Sequence, residues 1–204
     1  MMIDTVIRSR AYLLTASDID TDQVFPSRFQ NRVDGASDLS DYFFHDQRFE
    51  ADGTPIAGAA LNDPALKGAC VLVAPRNYAC GSARPGAVFA HRDFGIRVLI
   101  SEFFGQVFPT VCYKFGVVPI ELPRSDMAVI VDCLSENPLI GLEIDFATQE
   151  IKVGGSIRIS FGLDEHVRAI AISGQDELGL TLTYREEIER YEAERFRTYP
   201  WLVG

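Results

Sequence analysis

Short, largely apolar runs separated by mixed segments dominate the middle of the chain. The runs "CVLVA" (70–74), "IRVLIS" (96–101) and "VVPIEL" (117–122) have strand length and no polar alternation, the pattern of strands buried on both faces. Between them, "GAVFAHRDFG" predicts a helix of about ten residues closed by Gly95 at its C-terminus. The segment "EFFGQVFPTVCYKFG" predicts a second, helical or broken-helical element. Apolar strands alternating with helices indicate βαβ units and parallel pairing, hence an α/β fold.

The flanks have other periods. The stretch "VIRSRAYLL" near the start alternates imperfectly and runs into the polar turn "TASDIDTDQ". Residues 30–68 are rich in Asp, Gly, Asn and Pro around the aromatic patch "DYFFHDQRF", which predicts a long excursion with one short helix. The aromatic residues of that patch are expected to pack rather than to bind a ligand. Downstream, "SDMAVIVDCLSEN" predicts an amphipathic helix capped by Ser125 or Asp126. In "EIKVGGSIRISF" apolar residues alternate on both sides of Gly154-Gly155, which predicts a hairpin. Thr183 and Glu186 stand at capping-box spacing before a charged terminal helix at about 184–197, expected to be exposed.

Composition narrows the function classes. With 204 residues the chain fits one domain, 1–204, with a sizeable core. Its net charge of -10 argues against binding nucleic acid phosphates or anionic lipid. No run approaches the roughly 20 apolar residues of a membrane span, and the N-terminus lacks a secretory pattern, so a cytoplasmic protein is expected. The four cysteines, Cys70, Cys80, Cys112 and Cys133, form no C-x-x-C pair and offer no cluster ligand set; they are expected to be small buried hydrophobes. Asp18, Asp20 and Asp22 alternate, but Gln23 and Phe29 occupy the positions where a calcium loop needs Gly and Glu.

The candidate chemistry lies in "NYACGSARPG" (77–86), where a strand ends in a glycine turn and a helix begins. Such a junction gathers unpaired backbone N–H groups at the positive end of a helix dipole. Pro85 suits a first helical turn, and Arg84 adds a planar fork of donors for a carboxylate or phosphate. The Gly81-to-Gly86 spacing matches a phosphate-binding loop, but Ala87 and Val88 stand where Lys and Ser or Thr are required. A nucleophile elbow would need glycines where Cys80 and Arg84 stand. A serine-histidine pair could draw only on His45, His91 or His166. Two readings remain from the residues alone: an anion site, or a Ser82 that merely caps the helix beside a surface-paired Arg84.

Six blocks in order carry a resemblance over nearly the whole chain: "DIDTDQVFPSRF" (18–29), "FHDQRF" (44–49), "NYACGSAR" (77–84), "DFGIRVLISEFFGQVF" (93–108), "VVPIEL" (117–122) and "ELGLTL" (177–182). The sequence resembles the small subunits of 3-isopropylmalate dehydratase, which are similar to the swivelling fourth domain of aconitase. The resemblance implies a β/β/α swivel domain and a 4Fe-4S cluster on a separate large subunit, with no cofactor on this chain. It implies removal and readdition of water on a dicarboxylate in leucine biosynthesis, with a serine as base. Carried over by position, Ser82 is the catalytic base, Arg84 a carboxylate clamp, Asp22 a neighbour that orients Arg84, and Arg28 a substrate contact at the head of the loop associated with substrate choice. The family pattern Gly-Ser-Ser-Arg-Glu-His-Ala becomes Gly-Ser-Ala-Arg-Pro-Gly-Ala at 81–87, and the loop's Arg-Thr-Gly becomes "VDGAS" (33–37). Another 2-alkylmalate or tricarboxylate, or a silent carboxylate- or partner-binding module, are the alternatives those changes leave open.

Overall fold

The computed structural model of the chain describes residues 5–34, 37–82, 84–173 and 177–202. Two four-stranded sheets are stacked, and the N-terminal apolar stretch is divided between them. Strand β1 (Val6–Ser9) joins the antiparallel sheet and β2 (Ala11–Leu13) the parallel one, with Arg10 at the crossing. One imperfectly alternating run is thus two strands.

The parallel sheet has the order β2, β3 (Val71–Val73), β4 (Val98–Ser101), β5 (Val118–Glu121). The register pairs Leu72 with Leu99 and Val73 with Ile100. Leu72 and Leu99 belong to one buried cluster, and Val71, Val73, Val98 and Ile100 to another on the opposite face. Two buried faces explain the unbroken apolar runs.

The antiparallel sheet has the order β1, β6 (Leu142–Asp145), β7 (Glu150–Val153), β8 (Ile157–Ser160). The β7–β8 pair is the predicted hairpin, turning on Gly154 and Gly155 at φ +58° and +81°. Leu142, Ile144, Ile151, Val153 and Ile159 face the parallel sheet. On the other face Glu143 accepts from Lys152 Nζ at 2.6 Å and Arg8 Nε at 2.8 Å, which holds its carboxyl below the usual range.

Helices cover the free face of the parallel sheet. They are α1 (Thr21–Val24), α2 (His45–Arg48), α3 (Pro85–Phe94) and α4 (Phe108–Lys114). Gly95 closes α3 at φ +104°, as predicted. Helix α2 lies in the long excursion, between 3-10 turns at Ser27–Arg32, Ser40–Tyr42, Ala60–Asn62 and Pro64–Leu66. Its aromatic patch does pack: Phe43 and Phe44 are fully buried and perpendicular, their centroids 4.9 Å apart. Arg48 ties the excursion together, donating to the carbonyls of Ser40 (2.7 Å) and Phe43 (3.0 Å) and to Asn62 Oδ1 (3.1 Å).

Helix α5 (Arg124–Glu136) buries Met127, Ile130 and Leu134 in the second cluster. Its N-cap is Pro123, not Ser125 or Asp126; Asp126 lies in the first turn, where its charge favours the dipole. Helices α6 (Glu165–Ser173), α7 (Glu177–Leu182) and α8 (Arg185–Thr198) follow. The N-cap of α8 is Tyr184, without a side-chain cap bond, so the capping box read at Thr183 is not what starts it. Every residue of α8 is exposed, as expected.

Candidate active site

The loop between β3 and α3 gathers three left-handed backbones within five residues. Asn77, Ala79 and Gly81 all have left-handed backbones, at φ +58°, +55° and +87°. For alanine that conformation costs roughly 1–2 kcal/mol. The surroundings hold it in place on two sides. Tyr78 N donates to Phe103 O at 3.2 Å and Gly105 N to Tyr78 O at 2.9 Å. On the other side Cys80 N donates to Ile19 O at 3.0 Å, and Thr21 N to Cys80 O at 2.9 Å. Glycine is required twice by close approach: a Cβ at Gly81 would strike the Asp20 carboxylate, and one at Gly105 would stand 2.9 Å from Cys80 Cα.

Tyr78 anchors the loop from below. Its ring is buried among Phe44, Phe104 and Phe108, and its hydroxyl donates to His91 Nε2 at 2.6 Å. His91 in turn donates from Nδ1 to Ala87 O at 2.7 Å, which sets its tautomer. Burial, opposed by the bond to the Ala87 carbonyl, pushes the imidazole down to about 4, so it is neutral at physiological pH. With both nitrogens engaged in the core, His91 is unavailable to Ser82. His45 is engaged with Asp46 at 3.1 Å.

The three alternating acids have separate tasks. Asp18 accepts from Asn77 Nδ2 at 2.8 Å. Asp20 caps α1: its Oδ1 accepts from Asp22 N at 2.7 Å, while its own N–H donates to Gln23 Oε1 at 2.9 Å. Asp22 is then presented toward Arg84, with Oδ1 3.9 Å from Nη1. That pair is loose, its side chains 58% and 44% exposed, which leaves most of the guanidinium donors free.

Ser82 is exposed, and its carbonyl accepts from Thr21 Oγ1 at 2.8 Å. Among the described residues its hydroxyl has no hydrogen-bond partner. Helix α3 begins at Pro85 with Arg84 as N-cap and no side-chain cap bond, so Ser82 does not serve as its cap. Ser82 and Arg84 are thus both exposed on this loop, with Asp22 of α1 facing Arg84. Arg28 is placed differently. Its guanidinium makes two bonds to Asp46, one at 2.9 Å, and lies 4.5 Å over the Phe29 ring. The bond to Asp46 is the main reason its acidity is weakened further, with Asp22 a smaller contributor. Sequence reasoning missed this engagement of Arg28 and the role of Thr21 at the loop. The Asp20-Thr21-Asp22 run was the signal for the latter, read only for its acids.

The four cysteines are free thiols; only Cys112 is fully buried and the others are half-buried. Burial raises Cys112 strongly and Cys80 to a lesser degree. Among the described residues no three His, Cys, Asp or Glu side chains converge on a point that could hold a metal.

Two stacked sheets, with helices on the outer face of one and a glycine loop at the start of α3, have the architecture of a swivel domain of the aconitase type. Residues 9–125 match the family described as the aconitase C-terminal domain, and residues 178–204 the C-terminal domain of 3-isopropylmalate dehydratase small subunits. The 3-isopropylmalate dehydratase small subunit of Bacillus subtilis is 33% identical over 186 residues, 91% of this chain and 92% of the relative. That of Brucella anthropi is 35% identical over 184 residues, 90% of this chain and 91% of the relative. A crystal structure of 3-isopropylmalate dehydratase from Methanocaldococcus jannaschii shares the fold, with a TM-score of 0.62 at 20% identity over 93% of this chain and 99% of that one. The chain belongs to the 3-isopropylmalate dehydratase small-subunit family.

Proposed function

We propose that the chain is the small subunit of a hydro-lyase that interconverts 2-isopropylmalate and 3-isopropylmalate in leucine biosynthesis. It acts in the cytoplasm with a large subunit that carries a 4Fe-4S cluster, and has no nucleic acid or membrane partner. Among the described residues none form a ligand set for such a cluster, since the thiols are dispersed and one is sealed in the core. What this chain supplies is the proton step and the hold on the substrate.

The observation that carries the reading is the free Ser82 hydroxyl beside the loose Arg84–Asp22 pair, before the N-terminus of α3. Dehydration requires removal of a proton from the carbon next to a carboxylate. A serine hydroxyl is a weak base, and its alkoxide needs local positive charge, which Arg84 and the helix terminus supply. A substrate carboxylate takes the guanidinium edge that Asp22 leaves open, and Asp22 keeps Arg84 oriented. Arg28 contributes through the loop, held by Asp46.

Reconstitution with the large subunit under anaerobic conditions tests this. Ser82→Ala is expected to abolish turnover without affecting assembly, and Arg84→Lys to raise KM about ten-fold by losing the bidentate fork. Full activity of Ser82→Ala would remove the assignment. One observation favours a related acid as second reading: a Cβ at Gly86 would stand 2.9 Å from Phe25 Cε1 and 3.0 Å from Val33 Cγ2. Apolar side chains thus fill the space where the family pattern has an imidazole. A panel of 2-alkylmalates and tricarboxylates with the reconstituted complex separates the two.

A further inference from the structure

We infer that Thr21 is a positioning residue for the Ser82 hydroxyl, an inference that rests on Ser82 being the base. Thr21 is 4% exposed, the first residue of α1, and gives two hydrogen bonds to the site loop. Its N–H binds the carbonyl of Cys80 at 2.9 Å and its Oγ1 that of Ser82 at 2.8 Å. These carbonyls flank Gly81, whose backbone is the least restricted in the loop and sits at φ +87°. Holding the carbonyl ahead of that glycine and the carbonyl of Ser82 itself fixes the backbone on both sides of the Gly81–Ser82 peptide, and with it the direction of the Ser82 Cα–Cβ bond.

The remainder of the loop is held independently, by Cys80 to Ile19, by Tyr78 to Phe103 and by the Tyr78–His91 bond. Among the described residues the Thr21 hydroxyl makes the one hydrogen bond that reaches Ser82. Thr21 is too buried to touch a substrate, and its proton is committed to a carbonyl, so it neither binds nor relays. Asp22, the next residue, faces Arg84 at 3.9 Å. The first turn of α1 thereby sets the base through one residue and the clamp through the next.

Kinetics of the reconstituted two-subunit enzyme test the inference. Thr21→Val keeps the side-chain shape and removes the donor, and is expected to lower kcat about 10- to 100-fold with KM within about three-fold, since a base displaced by an ångström loses the reacting geometry. Thr21→Ser restores the donor and is expected to recover at least about a third of kcat. Thr21→Ala, which removes methyl and hydroxyl, should fall with Thr21→Val and not with Thr21→Ser. An unchanged kcat in Thr21→Val while Ser82→Ala is inactive overturns the role of Thr21 and leaves the base intact. Equal losses in the Ser and Ala variants, or a Thr21→Val chain that does not assemble, overturn it too, because the residue then serves packing alone. Turnover by Ser82→Ala would instead defeat the underlying assignment of the base.

Discussion

Gly81 combines two constraints, a left-handed backbone and the Asp20 carboxylate against its face. Gly81→Ala is expected to cost about 1–3 kcal/mol of stability and, in the reconstituted enzyme, to reduce kcat by displacing Ser82; urea unfolding and initial rates measure the two effects. Gly81→Ala should lose more than Gly95→Ala, because a Cβ at Gly95 meets no atom and only the backbone strain at φ +104° remains. At this scale the sequence is informative where one local motif carries the chemistry. Gly81, Ser82 and Arg84 stand within four positions, directly ahead of the helix that begins at Pro85. Ala79 carries no such sign, since nothing in an alanine announces φ +55°; long-range bonds impose it. The engagement of Arg28 by Asp46 depends on how a turn folds back 18 residues later, and the Thr21 bond to Ser82 spans 61.

Helix α3 presents a loop at its start and a buried polar chain along its inner side, Tyr78 to His91 to Ala87 O. His91 in the fold titrates at about 4, below the 6.5 of a free imidazole. The unfolded chain therefore binds a proton that the folded chain refuses at intermediate pH. The stability this contributes is complete above pH 6.5 and is lost as the pH falls toward 4, in total about 3 kcal/mol. Urea midpoints measured between pH 7.5 and 4.5 should decline, and the decline should flatten in a Tyr78→Phe, His91→Leu double variant, where no buried hydroxyl is orphaned. The existence of α3, its end at Gly95 and the β7–β8 hairpin follow from period and glycine placement. Cap identities at α5 and α8 do not. Polar residues one or two places along compete for a cap position, and Pro123 and Tyr184 take it because neighbouring strands and turns fix the entry of the chain.

Across the whole molecule, β3, β4 and β5 are readable because burial on both faces leaves them as short, mainly apolar runs. The division of the first apolar run between two sheets is not, since nothing local to Arg10 states which sheet each half will join. Helix α8 contacts chiefly the short Pro200–Leu202 turn that follows it and buries no residue, so removal of 185–204 is expected to shift Tm by less than about 2 °C. A larger drop on calorimetry would mean that the core depends on it. The pairing of Val6 with Asp145 carries a consequence in time. During synthesis β1 has no partner until residues 142–145 emerge, and the Val71, Val73, Val98 and Ile100 face of the parallel sheet, partly covered by α5, waits for the strands that follow. The layer bearing Ser82 can therefore form first, while an apolar sheet face and an unpaired edge stay open late in translation. Chaperone demand and aggregation on overexpression should track the emergence of β6 to β8 rather than that of the site loop.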